Sequence, residues 1–384
     1  MKRVVFLLLF LTAPLFAQNE LLQNVSGTAS NPGVTNPHVT SGDGPWQFFF
    51  SGSAHVTYVS ETGPVVQRSE TYSTNWFTAG LHRPLGEHSA FLVRGRLSFE
   101  PYTIDDGYPQ LLQYVPAEAG GPLIDRMRPH DLVGELAAQL SLRFGSLYVA
   151  AVGDPALGPV PFAQRASSRE FAEAPFGYEV QETFHDSTRV VTASVGTPRV
   201  TIEASVFHDA VTFGDHTEID DGDIDSKSAR ITLRPTPSLA LQVSRGELGE
   251  TFARRNITSA SVSWGTEHAA VSAIYTSRDD EVRGVSEDAI GIEGTFRVAR
   301  STFMARVESV DRPAAFPAFT AAALTGSEST QHFAVGYILD VLNTENYRTG
   351  LGVNIDYHTQ THDLPDSYGH KPQGIYAFVR FRTR

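Results

Sequence analysis

The chain contains no cysteine. That excludes a disulfide framework, a zinc–thiolate site and a thiol nucleophile. Lysine is almost missing as well: Lys2, Lys227 and Lys371 are the only ones among 30 basic residues. Positive charge is scarce overall. Against those 30 stand 43 acidic residues, a net −13 that would repel the phosphates of a nucleic acid. Also absent is any run of 18 consecutive apolar residues, so no segment is suited to cross a bilayer as a helix. What remains is a 384-residue chain, 41% hydrophobic and 19% charged, with a mean hydropathy of −0.17. It is too apolar for a disordered polymer and too polar for a bundle of membrane helices.

The N-terminus carries an address. Lys2 and Arg3 precede an apolar stretch from Val4 to Leu11, and Leu15-Phe16-Ala17 offers a cleavage point. This order reads as a secretory signal peptide over residues 1–17, too short to span a membrane itself. Residues 18–45 are rich in Asn, Ser, Gly, Thr and Pro and show no period, which predicts a flexible periplasmic leader.

From Trp46 onward the period is two. Phe91, Val93, Leu97 and Phe99 fall on one face, opposite Arg94, Arg96, Ser98 and Glu100. Leu136, Ala138, Leu140 and Leu142 oppose Glu135, Gln139, Ser141 and Arg143. The split recurs where Val200, Ile202, Ala204 and Val206 oppose Arg199, Thr201, Glu203 and Ser205. In the last segment Ile375, Ala377, Val379 and Phe381 oppose Arg380 and Arg382, although Tyr376 and Phe378 break the pattern. Sixteen such segments are legible: 46–59, 74–83, 88–99, 131–144, 146–153, 188–196, 199–207, 226–234, 238–245, 256–264, 267–276, 287–297, 300–308, 330–340, 346–357 and 373–382.

The connections between them alternate long and short, which is how outer-membrane barrels are built. Lipid offers no hydrogen-bond partner to a backbone, so a sheet within it must close on itself. The reading is therefore an all-β chain: residues 46–384 form a transmembrane antiparallel up-and-down barrel. About 16 strands are expected (14 or 12 if weak segments are misread), with long extracellular loops and short periplasmic turns. A soluble sandwich would need a domain boundary, and a propeller a repeat of 40–50 residues; neither is visible.

Several segments carry a resemblance. Arg128-Pro-His-Asp-Leu132 with Glu135-Leu-Ala, Asp154-Pro-Ala-Leu-Gly-Pro159, His185-Asp-Ser-Thr188, Ser226-Lys-Ser-Ala-Arg230 and Pro235-Thr-Pro-Ser-Leu-Ala-Leu-Gln-Val243 belong to it. Together they resemble a family of uncharacterised, porin-like outer-membrane barrels of Gram-negative bacteria, over about residues 45–382. The resemblance implies location and fold and brings no activity. Where that family tends to read His-Pro-His-Asp, this chain has Arg128 first, which weakens any metal role for a paired histidine there.

Two sets of residues are candidates for function. The polar strand faces place Arg94, Arg96, Glu135, Arg143, Arg199, Glu203, Arg230, Arg234, Glu293, Arg297, Arg306 and Arg348 in the lumen. With Glu308, Asp356, Arg380 and Arg382 added, Arg outnumbers Glu and Asp by 11 to 5 on that face, which predicts anion preference if the pore is open. The same residues could instead pair across strands and hold a sealed barrel together. Proline- and glycine-rich connections at 100–130 and 154–187 are long enough to fold inward. The second set is histidine beside aspartate. His130, His185, His208 and His362 each precede an Asp, and His216 lies in a long connection; imidazole with carboxylate suits Zn, Cu or Ni.

The function expected is passive passage of small solutes or anions, with a non-conducting surface or metal-linked barrel as the alternative. No catalysis is expected: Ser187 follows His185-Asp186, but nothing in the sequence supplies an oxyanion hole. No cofactor is implied. The expected partners are outer-membrane lipid, lipopolysaccharide bridged by divalent ions to the acidic loop Glu218–Asp225, small solutes or ions, and the barrel-assembly machinery.

Overall fold

The computed structural model describes residues 21–33, 38–62, 69–104, 130–182, 185, 187–209, 216–249, 254–281, 284–313, 327–360 and 373–384. The proposed signal peptide and His362 lie outside them.

Sixteen long strands run in chain order. They are β1 (Gln47–Glu61), β2 (Ser69–Gly86), β3 (Ser89–Leu97), β4 (Val133–Leu142), β5 (Gly145–Val152), β6 (Thr188–Thr197), β7 (Val200–His208) and β8 (Ser226–Thr236). There follow β9 (Leu239–Leu248), β10 (Arg255–Gly265), β11 (Ala269–Asp280), β12 (Val285–Val298), β13 (Ser301–Pro313), β14 (Ser327–Asn343), β15 (Tyr347–Gln360) and β16 (Gln373–Thr383). Each pairs antiparallel with its sequence neighbours, and β16 pairs with β1 to close the barrel. Closure leaves no unpaired edge, the condition hydrocarbon imposes. Turns of two or three residues, such as Pro237-Ser238 and Ala299-Arg300, alternate with long connections, so the count is even and both ends of the barrel chain lie on the tight-turn side.

The side chains are arranged inside out relative to a soluble protein. Ile202, Ile292, Val335 and Leu351 are 50% to 61% exposed on the outer wall. In water such a surface would be an aggregation hazard; in a bilayer it is the solvated face. Inside, five of the eight largest fully buried side chains are arginines: Arg94, Arg165, Arg230, Arg306 and Arg380.

The leader is a correction to the sequence reading. Over the described residues it is built into the barrel. Leu21–Gln23 form a single 3-10 turn, and Leu21 and Leu22 are buried with Phe49, Ala90 and Leu92. Asn24–Ser26 and Ala29–Ser30 form a small hairpin inside the wall. Val39–Ser41 then pairs with Phe48, Phe49 and Phe50 of β1, continuing the line of β16 where that strand has ended. It covers what would otherwise be a bare edge. Composition without a period signals the absence of an independent core; it carries no signal about a cavity elsewhere that will take the segment in.

Reversing the polarity of the outer wall tests the arrangement. Ile292 sits midway along β12, and Ile292→Arg is expected to lower barrel stability by about 2–4 kcal/mol, the depth-dependent cost of Arg on a lipid face. Urea titration of the folded band in lipid vesicles measures it.

Candidate functional site

The lumen is the place where this chain concentrates chemistry, and the connection 153–187 fills it. Almost every described residue of that segment is buried. It enters after β5, where Gly153 donates its N–H to the carbonyl of Ser187 at 2.9 Å, so the two ends of the excursion meet. An alanine at Gly153 would bring its Cβ within 2.2 Å of the Tyr148 hydroxyl.

Two forces hold this plug. The first is apolar packing in an otherwise polar lumen. Phe171 and Ala172 pack with Val59, Tyr72, Met304, Ile338, Tyr376 and Phe378 of the wall. Leu157 packs with Tyr148, Val190, Phe207, Leu248 and Ile257. Tyr376 and Phe378, which broke the alternation, are therefore in place: their strand faces them inward, and the plug gives them an apolar partner. The second force is charge. Four plug carboxylates reach wall arginines. Asp154 meets Arg96 at 3.4 Å, Glu170 meets Arg380 and Arg382 each at 2.5 Å, Glu173 meets Arg306 at 3.7 Å, and Glu179 meets Arg278 at 3.3 Å. In return the plug's Arg165 donates to wall Glu293 at 2.6 Å and to its own Glu182 at 2.6 Å. Arg306 also lies over the Phe171 ring, 4.1 Å from its centroid.

The leader hairpin docks beside the plug. Arg94 makes a two-pronged contact with Glu135, at 2.9 and 2.7 Å, and donates to the carbonyls of Asn24 and Gly27 at 2.8 and 2.7 Å. Gly27 returns its N–H to Glu135 at 3.1 Å, with φ at +49° and no room for a Cβ against the Asp154 carbonyl at 2.6 Å. Arg230 donates to Glu203 at 2.8 Å and to the Thr28 hydroxyl at 2.8 Å. Leader and plug also touch one another: Val25 and Ala29 pack on Val160, and Asn31 donates to the Gln164 carbonyl at 2.9 Å.

Of the lumen residues expected from sequence, Arg94, Arg96, Glu135, Glu203, Arg230, Glu293, Arg306 and Arg348 are buried inside the barrel. Arg234 and Arg297 are half-buried near the tight turns, bonded to Ser30 and to the Glu267 carbonyl. Arg143 and Arg199 are corrections. Both are exposed at turns, Arg143 stacked over Phe144 at 5.0 Å, because the strands end before reaching them. Sequence reasoning missed Arg278, Glu287 and Asp340, all buried and paired on the wall.

Among the described residues, the histidines chosen from sequence do not assemble into one site. His130 meets Glu100 at 3.1 Å, His185 meets Asp154 at 3.5 Å, His208 meets Asp225 at 2.9 Å and His216 meets Asp131 at 2.8 Å. Each has its own carboxylate, none of them its sequence neighbour. Among the described residues, the trio of donors gathered closely enough for one ion is His332, Asp356 and His358, none of them in that set. His358 lies in β15, one residue beyond the segment 346–357 legible in the sequence.

Between His55, His130, Phe162, Phe171 and Glu100 a cavity of about 30 Å³ remains, room for a water or two and no solute.

Burial would raise the carboxyl of Glu170, but Arg382, Arg380 and Arg169 override it and hold it well below the usual carboxylate range. Its contribution to plug docking is therefore complete above the ordinary glutamate value of about 4.3 and fades only as pH falls below it. Protection of the plug from protease is expected not to fall from pH 8 to 5, since Glu170 stays ionised and Glu173, whose carboxyl burial pushes up to about 7, is the more easily accommodated once it takes up a proton. Arg165→Ala leaves the buried Glu182 without its cation, while Glu293 keeps Arg306 at 3.2 Å, and is expected to weaken docking by about 3–5 kcal/mol, read as cleavage within 153–187 while the barrel band survives.

Solved structures share this architecture at low identity. A loop L8 deletion form of OmpT, an outer membrane protein of Vibrio cholerae, matches with a TM-score of 0.55 at 11% identity, covering 88% of this chain and 100% of that one. The anion-selective porin from Comamonas acidovorans matches with 0.55 at 11% identity, covering 90% and 100%. Salmonella typhi OmpF, solved in complex with daunomycin, matches with 0.56 at 10% identity and the same coverage. No protein-family model matches the chain, and no curated protein does. At these identities the likeness concerns the fold: a porin-like outer-membrane barrel.

Proposed function

We propose that this porin-like barrel is closed at rest by its own plug and leader, and that small solutes cross passively only when the plug is displaced. The observation that carries the reading is the set of buried ion pairs between Asp154, Glu170, Glu173 and Glu179 on the plug and Arg96, Arg380, Arg382, Arg306 and Arg278 on the wall. They tie the segment to β3, β16, β13 and β11, on different sides of the lumen. The strand arginines that the sequence offers as an anion-attracting lining are thus largely neutralised by the chain itself. Anion preference belongs to the opened state, in which those arginines lose their plug partners. Signal-directed export and anchorage by lipopolysaccharide fit the same picture. No catalytic role is assigned to Ser187, which is buried beside the plug's exit.

Planar-bilayer recording tests this. The intact chain is expected to give no steady single-channel steps, and a variant with residues 159–182 replaced by a short Gly-Ser linker to give large, anion-preferring steps. Steady ohmic steps from the intact chain would overturn the closed state. Silence from the folded excised variant would show that the segment is not what closes it.

A further inference from the structure

We propose that His332, Asp356 and His358 form a binding site for a single divalent transition-metal ion in the barrel interior. The strand pairing builds it. His332 on β14 lies directly opposite His358 on β15, and Asp356 is two residues from His358 on the same face. All three are at most 1% exposed. Their ligand atoms lie within 4.8 Å of one another. His332 Nε2 is 3.7 Å and His358 Nδ1 3.9 Å from the same Asp356 oxygen, Oδ2. Those gaps are too long for hydrogen bonds. They are close to the spacing of about 3.4 Å between two ligands that share one tetrahedral ion at 2.0–2.1 Å.

The surroundings prepare these atoms for an ion. Glu308 accepts from His332 Nδ1 at 2.8 Å, which leaves Nε2 as the free lone pair. This is the carboxylate–histidine arrangement that orients metal ligands. Glu308 is itself fixed by the N–H groups of Phe176 and Gly177 from the plug, at 2.8 and 2.9 Å. The Asp356 Oδ1 atom accepts from the backbone of Gly374, and Oδ2, which takes only a long 3.5 Å contact from the Tyr376 hydroxyl, faces the imidazoles. Phe176 packs edge-on against His358 with centroids 5.3 Å apart and closes the site on one side.

A proton alone does not satisfy this cluster. A charged His332 would bridge Glu308 and Asp356, yet both ring nitrogens of His358 would remain without a hydrogen-bond partner, as would both amide atoms of Asn354. A neutral imidazole buried with an orphan N–H is costly. An ion between the rings uses one His358 nitrogen and the Asp356 charge together. Two imidazoles and one carboxylate suit zinc, copper or nickel over calcium or magnesium. Three protein ligands leave one position for water.

The inference does not depend on whether the barrel conducts. The test uses the full chain, chelator-stripped and refolded in detergent with Zn²⁺ present, then dialysed and measured for zinc per folded chain. One zinc per chain is expected. It should be lost in His358→Ala and retained in His208→Ala, and affinity should fall about 10- to 100-fold in Glu308→Gln. Absence of zinc from the intact chain, or equal zinc in His358→Ala, would overturn the site. Should His358→Ala fail to fold, Co²⁺ bound to the unaltered chain decides: visible bands of a four-coordinate nitrogen–oxygen site support the proposal, and a spectrum like free Co²⁺ contradicts it.

Discussion

A backbone amide in hydrocarbon has no partner except another backbone, and everything else in this protein follows from meeting that demand. Sixteen strands close so that no amide is left over, and β1's lower edge, longer than β16, is completed by Val39–Ser41. Closure turns one face of every strand to lipid and the other to a narrow interior. That interior must then be filled with something polar, because it is lined by arginine, glutamate, serine and threonine.

A wide barrel can fill its interior with water. This one fills it with itself. The plug and the leader bring carbonyls, carboxylates and a few large apolar side chains to a wall whose guanidinium groups need partners. Buried ion pairs give little net stability, since desolvation offsets their attraction. What they give here is position: removing Glu170 leaves the buried Arg382 without its carboxylate, and the other plug carboxylates complete arginines that the wall neutralises only in part, which favours one arrangement of the segment in the lumen. The apolar contacts of Phe171, Leu157 and the leader's Leu21 and Leu22 add the attraction that charge pairing alone does not.

The barrel was legible in the sequence because alternation and connection length are local signals. Ile202 beside Glu203, or Leu136 beside Glu135, state which face is wet without reference to any other strand. Strand ends were less legible: Arg143 and Arg199 extend the pattern in sequence but stand on turns. The filled lumen was only half legible. The length and composition of 154–187 marked it as able to fold inward, and Tyr376 and Phe378 recorded its contact as misfits on a polar face. The leader's docking left no such mark, since its hairpin binds through backbone carbonyls that every sequence has. The His332–Asp356–His358 cluster needed the register of β14 against β15, which no single strand reveals; the one visible trace was Asp356 and His358 at a spacing of two.

The central claim is that water is kept out of the lumen while lipid bathes the outside. A chain without cysteine makes this directly measurable, one introduced thiol at a time. Ser205→Cys places a thiol inside β7, beside plug residue Ala156, whose N–H the native serine holds at 2.8 Å; Val206→Cys places one on the outer wall. In membranes, the account predicts that a charged, water-soluble maleimide labels neither position, and that a lipid-soluble maleimide labels only the outer one. Rapid labelling of the Ser205→Cys thiol by the charged reagent in the folded, intact barrel would contradict it.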